Sequence, residues 1–170
     1  IIKKVDILLI GGGMGATFIK SQGYGIGNSM FESDKLDYVK KLIAKAESSK
    51  VRLLLPQDVV VTQKLVAGSD ILTVPVTEIP DAWLIADIGP NTIKAFSAEL
   101  RNCRTVIWNG PMGVYEIPQS AKGTHSIARV LAEIESATVI GGGSTAEVVI
   151  EMGLADKISH VSTGGGASLE

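Results

Sequence analysis

The residues that could do chemistry in this chain are mostly glycines. Gly-Gly-Gly occurs three times, at residues 11–13, 141–143 and 164–166, each time after an apolar, strand-like run. Glycine lacks a Cβ, so its amide can approach an anion closely and its backbone can take positive φ. An amide row opening a helix is a phosphate-binding device that needs no charged side chain. One such loop could equally serve a tight turn. Three at strand ends on one rim point to an anionic ligand, polyphosphate in character. A fourth stretch, Thr105–Glu116 (TVIWNGPMGVYE), ends a strand with Asn109, Gly110 and Pro111: a side-chain amide beside closely approachable backbone. Glu116 adds an acceptor for sugar hydroxyls.

Two common fingerprints were tested. Gly11, Gly13 and Ala16 have the G-x-G-x-x-A spacing of a dinucleotide site, which also requires an acidic residue ~20 positions on. The next strand ends only near Pro56 and Asp58, beyond a Gly-Tyr-Gly-Ile-Gly excursion at 23–27. A P-loop requires Gly-Lys-Ser/Thr, which the sequence lacks.

The elements that must position these loops follow from the apolar pattern. Short runs without polar alternation at Asp6–Ile10, Val51–Leu55, Val59–Thr62, Ile71–Val74, Leu84–Ala86, Thr105–Trp108, Thr138–Ile140 and Ile158–Val161 predict strands buried on both faces of a parallel sheet. Pro56 is expected to turn a corner between the second and third. Leu36, Val39, Ile43 and Ala46 recur at helical spacing behind a Ser33 or Asp34 cap, and Ile127, Val130, Leu131 and Ile134 do the same later. Alternation of the two patterns predicts one α/β domain, three-layered and doubly wound, with a mainly parallel Rossmann-like sheet. Both ends read as cut, which predicts a domain excised from a longer protein.

Composition narrows the partners. The 170 residues are 45% hydrophobic and carry a net charge of −2, which favours neither nucleic acid nor an anionic membrane surface. No apolar run reaches the ~18 residues of a membrane span. One cysteine, Cys103, forms no internal disulfide and suits a reducing cytoplasm. His125 is expected at the surface, His160 inside the last strand as a structural histidine, Cys103 half-buried, and Trp83 and Trp108 at core edges.

In order and spacing, LLIGGGMGATF, DIGPNT, VIWNGPMGVYE, VIGGGSTAEVV and GLADKISHVSTGGGASLE resemble the C-terminal, nucleotide-binding domain of the phosphoglycerate kinase family, bacterial type, across essentially all 170 residues. The resemblance implies reversible phosphoryl transfer from 1,3-bisphosphoglycerate to Mg-ADP, giving 3-phosphoglycerate and ATP in glycolysis. It implies a cytoplasmic monomer whose N-terminal domain, upstream of Ile1, carries the phosphoglycerate site. Carried over by position, Gly12 and Gly13 would flank the adenine. Asn109, Gly110 and Pro111 would lie along the nucleotide, with Val114 against the base and Glu116 on the ribose. Gly142, Gly143, Ser144 and Thr145 would meet its phosphates. Gly143 and the Gly164, Gly165, Gly166 loop would stabilise the phosphoryl group in flight, beside Ser162 and Thr163. Two positions depart from the family pattern. Ser144 stands where the family has an aspartate that helps hold Mg²⁺, and a hydroxyl is the weaker, neutral ligand. Ile85–Ala86 replaces a Gly-Leu that lines the base pocket. The fragment is expected to bind nucleotide without turning over.

Overall fold

The computed structural model describes residues 4–162. Strands and helices alternate in the order β1 (Ile7–Leu9), α1 (Gly12–Ser21), α2 (Leu36–Glu47), β2 (Arg52–Leu54), β3 (Asp58–Thr62), β4 (Ile71–Pro75), β5 (Leu84–Ile88), α3 (Pro90–Leu100), β6 (Thr105–Asn109), α4 (Lys122–Glu133), β7 (Ala137–Gly141), α5 (Gly143–Glu151) and β8 (His160–Ser162). Each predicted strand is present, shifted by at most two residues at an end. Pro56 falls in the corner between β2 and β3, where its missing N–H disrupts no ladder.

The fold is mixed α/β with mainly parallel pairing, as the alternation predicts. β1 pairs with β2 in parallel, and β6, β7 and β8 form a parallel sheet in that order. The middle of the chain differs. β3 lies between β4 and β5 and pairs antiparallel with both, with a bulge between Val60 and Val61 on the β5 side. The links 63–70 and 76–83 contain no α-helix, and a parallel return needs a crossover of about a dozen residues or more, usually helical. β3 is buried throughout, whereas β4 is mostly exposed and β6 alternates exposed and buried residues, Ile107 facing solvent. The expectation of burial on both faces therefore fails for β4 and β6, each at the edge of its sheet.

The helical stripes do what their spacing predicts. Val39 and Ala46 of α2 are buried, and Ile127, Val130 and Leu131 of α4 join Phe96, Leu100, Val106, Ile140 and Val149 in the largest core. Smaller cores form around Val59 and Val61 with Ile19 and Ile26, and around Ile10, Phe18 and Val39. The predicted cap of α2 is not observed. Ser33–Lys35 forms a 3₁₀ turn with no capping side chain, and Asp34 instead pairs with Lys35 at 3.1 Å. The N-terminus of α3 is held from another element. Pro90 fills its first turn, and the buried Asp58 of β3 accepts N–H bonds from Asn91 (3.0 Å) and Thr92 (2.8 Å) and the Thr92 hydroxyl (2.7 Å).

Candidate functional site

Register aligns the loops. Asn109 of β6 stands opposite Gly141 of β7, which stands opposite Ser162 of β8. The Asn-Gly-Pro turn and the second glycine loop therefore leave the sheet at one level, at the carboxyl ends of parallel strands, where open α/β sheets bind ligands. Residues 164–166 lie outside the described residues.

Local bonds lock the first two loops together. The Gly110 N–H donates to the Thr145 hydroxyl at 2.9 Å. Gly142, at φ +93°, turns the chain from β7 into α5, a backbone state that an L side chain rarely takes. A Cβ there would stand 3.0 Å from the Asn109 side-chain oxygen, so the two loops already touch. Gly143 and Ser144 open α5 exposed to solvent, with no side chain capping the helix. Their amides are thus available to an anion. Thr145 is buried, its hydroxyl engaged by Gly110. Asn109 is exposed, and Gly110 and Pro111 are half-buried.

The first glycine loop meets the same turn from the opposite side. Gly12 donates its N–H to the Met112 carbonyl at 3.2 Å, and a Cβ on Gly12 would run into the Pro111 carbonyl. Gly13 borders open space. Further along the turn, the half-buried Val114 donates its N–H to the Ala86 carbonyl at 2.8 Å, and Glu116 is exposed. Ile85 is half-buried with its side chain in the β3 core, and its N–H is bonded to the Ser29 hydroxyl at 2.8 Å. It is Ala86, its neighbour, that touches the turn.

Several contributors were not singled out in the sequence. Tyr115 donates its hydroxyl to the Glu147 carboxylate of α5 at 3.0 Å. Burial and that carboxylate raise the phenol's pKa, while a contact with Ser144 opposes them. Thr124 accepts the Met112 N–H at 3.0 Å. Asp87, within the DIGPNT motif, is buried beneath the turn. Its carboxylate accepts N–H bonds from Gly123 (2.6 Å) and Ile88 (2.8 Å), and burial pushes its pKa up to about 6. No local pattern announces most of these partners, because the bonds from Tyr115 to Glu147, Met112 to Thr124 and Gly123 to Asp87 join residues 12 to 36 positions apart.

The remaining chemistry-capable side chains stay apart from the rim. Cys103 is half-buried, its thiol directed to the Glu99 carbonyl at 3.4 Å and its pKa raised by burial. Two histidine expectations need correction. His125 is half-buried, because α4 turns it partly inward, and His160 is exposed, because β8 presents that position to solvent. Trp108 is fully inside the core and Trp83 borders the β3 cluster. Among the described residues no three His, Cys, Asp or Glu side chains cluster to hold a metal, and no helix is long and apolar enough to cross a membrane.

An α/β scaffold with three loops meeting at parallel strand ends is a domain of the Rossmann-like class. The family is more specific: the phosphoglycerate kinase profile matches residues 1–170, and the chain belongs to that family. It is 54% identical over its whole length to a phosphoglycerate kinase of Pelotomaculum thermopropionicum and 52% identical to a cytosolic one of Nicotiana tabacum, covering 43% of each relative. The phosphoglycerate kinase structure from Coxiella burnetii superposes with a TM-score of 0.95 at 37% identity, over 99% of this chain and 43% of that one. The chain thus spans less than half the length of the relatives it matches.

Proposed function

We propose that this chain is the C-terminal, nucleotide-binding lobe of a phosphoglycerate kinase, acting in the cytoplasm as a monomer with an N-terminal lobe that carries the phosphoglycerate site. The observation that carries the reading is the junction of the Asn109–Glu116 turn with the start of α5, fastened by the Gly110–Thr145 bond. It sets a side-chain amide, an acidic side chain and uncapped helix amides along one edge. That sequence of groups suits base, ribose and phosphates in turn.

The activity follows as transfer of a phosphoryl group between 1,3-bisphosphoglycerate and Mg-ADP. An ADP terminal oxygen is already anionic, so no general base is required, and the protein's work is alignment and charge stabilisation. Gly142 turns the chain so that the Gly143 and Ser144 amides face outward at the positive end of α5. Preorganised donors of this kind each contribute roughly 3 kcal/mol when aimed at developing charge. Gly164–Gly166, outside the described residues, are assigned by sequence position to the group in transit. Asn109 and Glu116 orient the nucleotide, and the Tyr115–Glu147 bond steadies the far side of the turn.

The described residues do not fit a metal held by the protein. Ser144 offers a single neutral hydroxyl, and Glu147 is engaged by Tyr115. Magnesium therefore enters as part of the Mg-ADP substrate. Calorimetry with Mg-ADP tests the reading: weak saturable binding is expected, without turnover by the lobe alone. Absence of binding, or preference for NAD(H), would overturn it.

A further inference from the structure

The geometry points to Asp87 as the positioning residue of the Asn109–Glu116 turn, a buried carboxylate that fastens the base of the turn to the first residues of α4 and so sets where Asn109 and Glu116 stand. The inference rests on the nucleotide-binding reading for its consequence, but on packing for its substance. Asp87 sits at the end of β5, 1% exposed. Gly123 in the first turn of α4 donates to one of its oxygens and Ile88 to the other. Side chains are missing where the carboxylate needs room: a Cβ on Gly113, within the turn, or on Gly123 would strike it. Two further bonds clamp the same segment, Val114 N–H to the Ala86 carbonyl (2.8 Å) and Met112 N–H to the Thr124 hydroxyl (3.0 Å). Asp87 thus lies at the centre of a three-way joint between β5, the turn and α4.

Its charge is costly where it stands. Burial is the largest influence on its pKa, opposed only by the two N–H donors, and no charged side chain contributes. On the packed elements, Lys122 of α4 and Glu116 of the turn are exposed, Asp58 of β3 is bonded to α3, and His125 of α4 is half-buried. Both carboxyl oxygens accept N–H bonds, and an amide in their place turns one acceptor into a donor.

The test is hydrogen exchange on wild type and Asp87→Asn, read at the amides of residues 112–116 and, as reference, of α2. In the variant, protection of the turn should fall about tenfold more than protection of α2, the scale of one lost charge-assisted bond, with Mg-ADP affinity falling by a similar factor. In wild type, turn protection corrected for intrinsic exchange should rise as pH falls through about 6, because an open turn exposes the carboxyl and lowers its pKa, and should do so equally in His125→Gln. Turn and α2 protection changing in parallel, or a wild-type profile flat across that range, would overturn the inference. The wild-type profile decides alone if Asp87→Asn does not fold. Should wild type bind no Mg-ADP while turn protection still depends on Asp87, the positioning role stands and the nucleotide reading fails.

Discussion

Two buried aspartates at the starts of two helices are used in opposite ways. Asp58, on β3, faces the first turn of α3 and accepts Asn91 N–H, Thr92 N–H and the Thr92 hydroxyl. Asp87, on β5, faces the first turn of α4 with two backbone donors and the Asn109–Glu116 turn above it. The first is a fully bonded cap borrowed from a neighbouring strand, and its business is joining sheet to helix. The second is under-bonded and disfavoured by burial, and sits beneath the Asn109–Glu116 turn. The difference teaches that burial of a charge does not by itself reveal its purpose; the count of donors and what the joint supports do.

Substitutions can break this contrast. The largest effect is expected at Asp58→Ala, which removes the acceptor of the Asn91 and Thr92 helix amides while the Thr92 hydroxyl keeps the Asp58 carbonyl, and should cost about 3 kcal/mol. Urea unfolding measures it, and Mg-ADP affinity per folded molecule should stay unchanged. If affinity falls as well, the two aspartates are not functionally separate.

Next comes the pH dependence of Asp87. Its folded carboxyl holds its proton up to about pH 6, against 3.8 for an ordinary free aspartate. Between these values the folded state binds more protons than the unfolded state, so this group's contribution to stability is full below 3.8 and is lost as pH rises through 6. The span is worth about 3 kcal/mol. Denaturation of wild type minus that of Asp87→Asn, from pH 4 to 8, should show that falling trend. Turn protection should follow the same sign, since local opening and global unfolding both expose the buried carboxyl.

Gly142→Ala should cost about 2 kcal/mol, from the positive φ and from crowding Asn109, and should weaken Mg-ADP binding beyond that loss. Thr145→Val removes the acceptor for Gly110 N–H and should cost about 1–2 kcal/mol, seen as loosened exchange at Gly110. The smallest effect is expected at Tyr115→Phe. Its bond to Glu147 is exposed, so thermal unfolding should shift by an amount equivalent to about 0.5 kcal/mol or less.

Much of the fold was legible because its signals are local. Apolar runs marked the strands, 3–4-residue spacing marked α2 and α4, and Pro56 marked a corner. What escaped was set by chain direction and by distant partners. The antiparallel β3–β5 block has runs as apolar as the parallel strands, and only its helix-free links distinguish it. The cap of α3 comes from a residue 33 and 34 positions away, so no capping pattern before α3 could show it, whereas the local Ser33/Asp34 signal proved idle as a cap. At the site, Asn109, Gly142 and Thr145 were readable as types. The bond from Gly110 to Thr145, the reach of Gly12 to Met112 and the buried acid under the turn were not.

By itself, then, the sequence determined which backbones could come close to an anion and which segments would alternate as strand and helix, since both depend on side-chain size and on periodicity within a few residues. The tertiary structure alone decided that Asn109, Gly141 and Ser162 share one register row, and that Thr145 and Asp87 serve the turn from beneath. Those outcomes depend on strand order and on contacts between residues tens of positions apart, which no local property of the chain encodes.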